Sequence, residues 1–263
     1  MRSLLIGLAA AAAVVTTVAS SAVVATSVPP PPAATTYEGP GSASPEDAVS
    51  SYMSGLASVD VDAMVSSFAV ETFVDHFDFL AYLERLGVYS ATFTPVVVPA
   101  ETPFARALGI ERRHGTVTDQ ILFQFLALAD PELEPTEQVL LNEDVTPEVF
   151  SGSLAAAVGA VDLAEVGSFT FVPMADVAPE AAEVYESEPN QANLETIREM
   201  FGADEITDLV VRFTVSDQEY FAFFSVVRYG DAWWVDQLGG NFASLVTIPP
   251  LRSGATPVDG IEE

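Results

Sequence analysis

The stretch ITDLVVRFTVSDQEYFAFFSVVRYGDAWWVDQL, from Ile206 to Leu238, decides the fold because it holds the densest β-branched and aromatic content of the chain. It alternates and is interrupted twice by turn-forming residues, which is typical of a three-stranded antiparallel meander. Gly230-Asp231 is a two-residue loop of the kind that closes β-hairpins. The predicted strands lie at 208–215, 220–229 and 232–238, with residues 216–219 as the other loop.

The two loops predict which side chains share a face of this sheet, since paired residues on neighbouring strands point the same way. Across Gly230-Asp231, Ser225 is expected to face Asp236, and across residues 216–219, Arg212 is expected to face Phe223. One of the two resulting faces is almost wholly apolar. The other, which we call the mixed face, carries Val210, Arg212, Thr214, Phe221, Phe223, Ser225, Val227, Trp234, Asp236 and Leu238.

The mixed face contains too many large apolar side chains to be left in water. An antiparallel sheet with one solvated face alternates apolar with polar residues, so the mixed face is expected to be covered by helices, a partner chain or a ligand. We therefore predict a pocket or interface there, formed by Phe221, Phe223, Val227 and Trp234.

Composition limits the classes of partner. Hydrophobic residues make up 49% of the 263 positions, enough for a sizeable core. There are 38 Asp and Glu residues against 9 Arg and no Lys, and the net charge of −29 argues against nucleic acids and anionic membranes. The interpretation is a solvated acidic surface, with weak collective cation binding as the alternative. The absence of cysteine excludes disulfides and thiolate chemistry.

The first 28 residues have the pattern of a secretory signal. Arg2 precedes an apolar run from Leu4 to about Val18, and small residues offer cleavage sites after Ala22 or Ala25. The alternative is an uncleaved anchor, because the weakly apolar character extends to residue 28. Both place the rest of the chain outside the cytoplasm. Residues 29–43 are predicted to be a Pro, Gly, Ser and Thr-rich linker, and residues 249–263 a disordered acidic tail.

A single domain is predicted over residues 44–248. Ser44-Pro45 begins the first helix, and Asp60 or Asp62 caps a short second one. A third, aromatic helix is expected over 71–86. The later predictions are strands at 88–98 and 165–172, helices at 103–112, 118–129, 146–158 and 190–201, and a surface excursion at 176–189.

Two segments, SPEDAVSSYMSGLASVDVDAM and the hairpin VVRYGDAWWVDQL, resemble the nuclear transport factor 2-like superfamily. The resemblance covers about residues 45–70 and 206–239. It implies an α+β cone in which N-terminal helices pack on a curved antiparallel sheet that ends in a C-terminal meander. Residues 100–200 are longer and more helical than in that compact form, so we expect a helical insertion there, with a different α+β fold as the alternative.

The resemblance implies a pocket between sheet and helices, but not one function. The superfamily includes ketosteroid isomerases, scytalone dehydratases, polyketide cyclases and non-enzymatic secreted domains. Its enzymes use a pocket carboxylate or histidine as general base. No motif of this sequence matches such a site residue by residue, so none is transferred.

Asp236 is the candidate catalytic carboxylate that the predicted register offers. With Ser225 beside it and Arg212 two strands away, it would lie among apolar residues that raise its pKa. The alternatives are a structural ion pair between Arg212 and Asp236, or an exposed edge of the sheet.

Histidines offer two weaker candidates. His76, between Asp75 and Asp78, has the chemistry of a base or metal ligand, but helix neighbours one and two positions apart point in different directions. A structural or surface role is the alternative. His114 ends the basic cluster Arg112-Arg113-His114, which suits either an anion or acidic partner, or the stabilisation of a helix end.

Metal and cofactor motifs are not found in the sequence. Asp60 and Asp62 lack the glycine and the closing glutamate of a calcium loop, and two histidines without cysteine do not make an ordinary zinc site. Glycine-rich phosphate loops and a Gly-x-Ser-x-Gly elbow are also absent. We expect no cofactor and no metal.

The leading hypothesis is an exported, non-catalytic α+β domain that binds a small apolar ligand or a partner protein in a pocket floored by the sheet. Homodimerisation would be one way to cover the mixed face. The alternatives are an isomerase, dehydratase or cyclase-like enzyme that uses Asp236, and a surface-anchored structural interaction domain.

Overall fold

The predicted meander is the centre of the computed structural model, which describes residues 36–86, 100–129, 163–246, 254–258 and 261. These residues belong to one compact unit that begins at Thr36. The strands are β1 (Thr170–Val172), β2 (Glu205–Val215), β3 (Gln218–Tyr229), β4 (Ala232–Leu238) and β5 (Ala255–Pro257). The helices are α1 (Pro45–Ser58), α2 (Val61–Ser66), α3 (Glu71–His76), α4 (Phe79–Leu86), α5 (Pro103–Ala129), α6 (Met174–Val177), α7 (Pro179–Glu186), α8 (Glu188–Phe201) and α9 (Gly240–Val246).

The first two helices begin where their capping residues predict. The Ser44 side chain accepts a hydrogen bond from the backbone N–H of Asp47, and Asp60 accepts one from that of Ala63. Each cap satisfies a backbone donor that the first helical turn would leave without a partner. Both predicted starts are confirmed, and Asp60, rather than Asp62, is the cap of α2.

The later helices differ from prediction in their limits. The helix predicted over 71–86 is two helices, because Asp78 caps α4 by accepting from the N–H groups of Leu80 and Ala81. The two helices predicted at 103–112 and 118–129 are the single helix α5. Val117, at the predicted break, is fully buried, so packing outweighs the low helix propensity of Gly115 and its β-branched neighbours.

Most of the described residues between 100 and 200 are helical. The strand predicted at 165–172 is shorter, with a 3-10 helix at Leu163–Gly167 followed by β1. The excursion predicted at 176–189 is mostly the helix α7, and the helix predicted at 190–201 begins at Glu188 and ends at Gly202 as expected. The predicted strand at 88–98 and helix at 146–158 lie outside the described residues.

The sheet is antiparallel, with strand order β1-β2-β3-β4. β4 pairs with the second half of β3, and β5 pairs with Tyr220–Ala222 in its first half. The prediction that residues 249–263 are all disordered tail is therefore wrong over 255–257. Ala255 and Thr256 are buried there, because β3 has an edge that β4 is too short to cover.

One predicted hairpin loop is confirmed, and the other is shorter than predicted. Gly230-Asp231 closes β3 and β4 as predicted, with Tyr229 opposite Ala232 and Val227 opposite Trp234. The other loop is only Ser216-Asp217, with φ values of 51° and 67°. Left-handed backbone at both positions is typical of the tightest hairpin turn.

The shorter loop moves the β2–β3 register by two residues. Arg212 is opposite Phe221, and Val210 is opposite Phe223, so the predicted pair of Arg212 and Phe223 is wrong. Because side chains alternate with a period of two, a shift of two leaves every residue on its predicted face. The predicted division of β2 and β3 into an apolar and a mixed face is therefore correct although the predicted pairing is not.

A β-bulge interrupts the pairing of β3 and β4 between Ser225 and Val226. Val226 is opposite Val235 and Ser225 is opposite Gln237, so Asp236 is the extra residue on β4. The prediction that Ser225 faces Asp236 is therefore wrong. Beyond the bulge Leu238 is opposite Phe224 and belongs to the apolar face, so the prediction that it lies on the mixed face is wrong.

Both faces of the sheet are covered by the protein's own helices. The apolar face packs on α1 and α2 in the larger core cluster. On the mixed face, Val210, Phe221 and Phe223 lie under α7, α8 and α9 in a second cluster with Tyr185 and Phe242. The expectation that the mixed face needs cover is met within the chain.

The predicted linker 29–43 becomes part of the fold from residue 36 onward. The Glu38 carboxylate accepts from the N–H groups of Val70 and Thr72, and Glu71 accepts from those of Tyr37 and Glu38. Ser42 exchanges two backbone hydrogen bonds with Trp233 of β4. The segment thus completes an edge of the sheet that would otherwise expose unpaired backbone groups.

Phe223→Ala tests the burial of the mixed face. Phe223 is 1% exposed, so removal of its ring should cost about 3–5 kcal/mol of the free energy of unfolding. Phe104→Ala is the matched control, because Phe104 is 79% exposed, and its cost should stay within about 0.5 kcal/mol. Urea unfolding of both variants measures the difference, and equal costs would contradict the packing.

Candidate functional site

A cleft of about 200 Å³ lies where the β3–β4 bulge meets α4, α8 and α9. Its lining combines apolar with polar residues, as is usual in a small-molecule site. The apolar wall comes from α8 and the start of β2, and consists of Leu194, Ile197, Met200, Phe201 and Ile206. The polar side chains are Arg85, Ser225, Asp236, Gln237 and Asn241.

Asp236 reaches this cleft because the bulge interrupts the regular pairing of β4. Its carboxylate is only 3% exposed and lies 2.8 Å from Nη2 of Arg113, whose side chain is 11% exposed. Burial raises the pKa of Asp236, and the Arg113 guanidinium opposes part of that rise. The carboxylate is therefore a buried partner of an arginine, and not a free acid.

Arg113 holds the bulge to the helical layer. Its Nη2 also donates to the backbone carbonyl of Asp236, and its Nε donates to the carbonyl of Ala69. The guanidinium lies 4.3 Å from the centre of the Phe73 ring. These contacts tie β4, the segment before α3, and α5 together through one planar group with several fixed donors.

Arg212 is not the partner of Asp236 that the sequence analysis considered. It forms an ion pair with Glu219 on β3, and its side chain is 44% exposed. Both the catalytic grouping of Arg212 with Asp236 and the structural pair between them are wrong. Asp236 does form a structural ion pair with an arginine, but that arginine is Arg113 of α5, more than a hundred residues away in the sequence.

Asp208 is a second buried carboxylate that the sequence analysis did not select. It is paired with Ser225 across β2 and β3, and its Oδ2 accepts a hydrogen bond of 2.6 Å from the N–H of Phe242. Its backbone N–H donates to the Tyr185 hydroxyl. Asp208 thus anchors α9 over the mixed face. The signal in the sequence was an acidic residue next to the apolar run Leu209–Val211 of β2.

The surroundings of Asp208 favour its protonated form. Burial raises the pKa of Asp208 from its ordinary 3.8 to about 6, although the Phe242 hydrogen bond favours the ionised form. Its Oδ1 has no hydrogen-bond partner in the described part of the chain. Gly240 allows this close approach, since a Cβ there would lie 2.9 Å from both carboxylate oxygens.

The four residues predicted to form the pocket do not line the cleft. Phe221 and Phe223 are covered by α7 and α9, and Val227 is fully buried in the larger core cluster. Trp234 is covered by the segment before α1, where its Nε1 donates to the Gly39 carbonyl. These four apolar side chains are buried in the core and do not form an open pocket.

His76 has a structural environment. Its Nδ1 lies 2.8 Å from the carbonyl oxygen of Thr72, and its ring packs 4.8 Å from that of Tyr229. The neighbouring acids face elsewhere, since Asp75 pairs with Arg106 and Asp78 caps α4. The expectation that these three side chains do not converge is confirmed.

His114 lies inside α5 and not at a helix end, so the helix-end interpretation is wrong. Its ring stacks on Tyr37 at 3.9 Å between ring centres, and Arg113 points to Asp236. The basic cluster is thus divided between different sides of the helix.

A second cleft, of about 320 Å³, lies beside the end of β4. Its described lining is Thr116, Asp119, Gln120, Phe123, Gln237 and Leu238.

Within residues 36–86, 100–129, 163–246 and 254–258, no group of three or more acidic or histidine side chains is arranged to hold a metal ion. None of the helices in those ranges has the length and apolar character needed to cross a membrane.

Comparisons with known proteins add a fold-level similarity. No protein-family model and no curated protein matches the chain. Among solved structures, a cystatin-like protein from Ruminococcus gnavus is similar, with a TM-score of 0.49 and 17% sequence identity. The match covers 81% of this chain and 44% of that protein, so this chain spans less than half of its structural relative. The similarity concerns the α+β fold alone.

Arg113→Gln tests the ion pair at the bulge. The variant leaves the buried Asp236 carboxylate without its cation, so the free energy of unfolding should fall by about 3–5 kcal/mol. Arg106→Gln is the matched control, because Arg106 pairs with Asp75 near the surface and should cost less than about 1 kcal/mol. Chemical denaturation near pH 7 distinguishes the two, and a small loss in Arg113→Gln would contradict a structural role.

Asp208→Asn tests the raised pKa. Well below pH 4 the carboxyl is protonated in folded and unfolded chains alike, whereas between pH 4 and about 6 it is mostly ionised in the unfolded chain and mostly protonated in the folded one. Asp208 therefore makes wild type lose stability as pH rises through about 6. Relative to Asp208→Asn, the loss should reach about 3 kcal/mol. Denaturant unfolding of both proteins from pH 4 to 7.5 measures this, and a constant difference would contradict it.

Proposed function

We propose that this protein is an exported, non-catalytic α+β domain that binds a small, mainly apolar ligand in the cleft beside the β3–β4 bulge. The observation that carries the proposal is the composition of the cleft, whose lining combines five apolar residues with five polar residues. Apolar walls supply affinity and a few polar groups supply orientation in such sites.

The proposal moves the binding site from where the sequence alone placed it. The large side chains of the mixed face are buried by helices and the N-terminal segment, so they offer no free surface. The cleft lies where the bulge and the C-terminal half of α8 leave a gap in that cover. A partner chain is not needed to cover the mixed face, so the small ligand is preferred to a protein partner.

Export rests on the N-terminal pattern of Arg2 and the apolar run that follows it.

We also propose membership of the nuclear transport factor 2-like superfamily. The order of elements supports this, with capped helices at the N-terminus and a long antiparallel meander near the C-terminus.

The second candidate is an isomerase, dehydratase or cyclase-like enzyme that uses Asp236. One observation favours it, since the buried carboxylate and Ser225 both line the cleft. It ranks below binding because Arg113 engages both the carboxylate and the carbonyl of Asp236. A general base needs a free basic oxygen directed at the substrate. NMR spectra of bound ligands that show no chemical conversion over days would remove this candidate.

Ile197→Trp tests the binding site by filling the apolar wall. Wild type should bind a neutral probe, cyclohexanecarboxamide, with a dissociation constant of about 1 mM, which is typical of so small a ligand. The variant should lose this binding, as measured by ligand-observed NMR. Leu108→Trp is the matched control, because Leu108 is exposed on α5 and does not line the cleft. Equal binding by all three proteins would place the probe elsewhere, and no binding by wild type would refute the proposal.

A further inference from the structure

The cleft has an arginine at its rim whose described hydrogen bond is to a neutral group. Arg85 lies in the last turn of α4, and its Nη2 donates to the side-chain oxygen of Asn193 at 2.8 Å. Asn193 belongs to α8, the helix that supplies the apolar wall. One donor of the guanidinium is thus used to position the group at the cleft, and its charge is not neutralised by that contact.

Five of the other six arginines among the described residues are engaged differently, and the sixth, Arg112, is exposed on α5. Arg106, Arg113, Arg198, Arg212 and Arg228 each form an ion pair with an Asp or Glu side chain. In a chain with 38 acidic residues and 9 arginines, an arginine that lines a cleft and bonds an amide is unusual. A planar guanidinium suits a carboxylate, to which it can donate two parallel hydrogen bonds.

We propose that the ligand is a small carboxylic acid, bound as its carboxylate, with its anionic group at Arg85 and its apolar body against α8. This inference rests on the proposed binding function and names the class of ligand. Asp236, the acidic residue of the lining, is already paired with Arg113, so Arg85 is the cation of the lining that is left for an anionic group. Its volume of about 200 Å³ suits a single ring or a short chain.

The alternative role of Arg85 is the stabilisation of α4, since a cation in the last helical turn interacts favourably with the helix dipole. That role predicts an effect on stability without any preference for charged over neutral ligands. Ligand selectivity is therefore the measurement that distinguishes a binding role from a structural one.

The experiment compares cyclohexanecarboxylate with its neutral isostere cyclohexanecarboxamide by ligand-observed NMR at pH 7 and physiological ionic strength. At that ionic strength charges are screened beyond about 8 Å, which limits repulsion by the distant acidic surface. Wild type should bind the carboxylate about three- to tenfold more tightly than the amide. Arg85→Gln should abolish this preference while it retains affinity for the amide.

Arg112→Gln is the matched control. It removes one exposed positive charge from α5 at a residue outside the described lining of the cleft, so the carboxylate preference should persist. Equal affinity of wild type for both probes, or a preference that survives in Arg85→Gln, would overturn the carboxylate assignment and leave the binding cleft itself intact. If neither probe binds wild type, the proposed function fails as well.

Discussion

The central constraint on this protein is that β3 is buried on both faces. From Tyr220 to Val227 every residue of the strand is shielded from water, although the strand belongs to an antiparallel sheet. Such sheets commonly leave one face in water, so the chain must provide two separate layers of cover. The helices α1 and α2 supply one, and α7, α8 and α9 supply most of the other.

The second layer is held by polar groups at the few points where the apolar packing is interrupted. Asp208 anchors the start of α9, and Arg113 ties the bulge at Asp236 to α5 and to the segment before α3. Both carboxylates are buried, and burial raises the pKa of each. A buried acid is tolerated where it satisfies backbone N–H groups or a cation that would otherwise be unpaired. The same bulge opens the cleft, so the element that fixes β4 also creates the candidate site.

The cleft differs from the rest of the mixed face because the cover there is incomplete. Over Phe221 and Phe223, aromatic side chains of α7 and α9 fill the space, as the contact of Phe223 with Phe242 illustrates. Towards the bulge, the wall of α8 and the rim at Arg85 leave room for a small molecule. The location of a site therefore follows from where helices fail to meet, and not from where the sheet is most apolar.

The sequence by itself determined the meander, the loop at Gly230-Asp231, the cap at Ser44, the start of the second helix at Asp60 or Asp62, and the need to cover two faces. These follow from local rules, since capping, turn chemistry and strand alternation each involve residues a few positions apart. The α+β class followed from the same patterns. Even the wrong β2–β3 register left the faces correct, because it was wrong by two residues.

Only the tertiary structure decided which side chains meet. From the sequence, Arg212 was the expected ion-pair partner of Asp236. The bulge instead directs the Asp236 carboxylate to Arg113, and no local sequence pattern links β4 to α5. The tail strand at Ala255–Pro257 and the docking of Glu38 on α3 also depend on partners far along the chain. Such contacts depend on geometry that the local pattern does not encode. The Ile206–Leu238 stretch thus specified a sheet with two apolar faces, and the packing of distant helices determined that its cleft lies at the bulge.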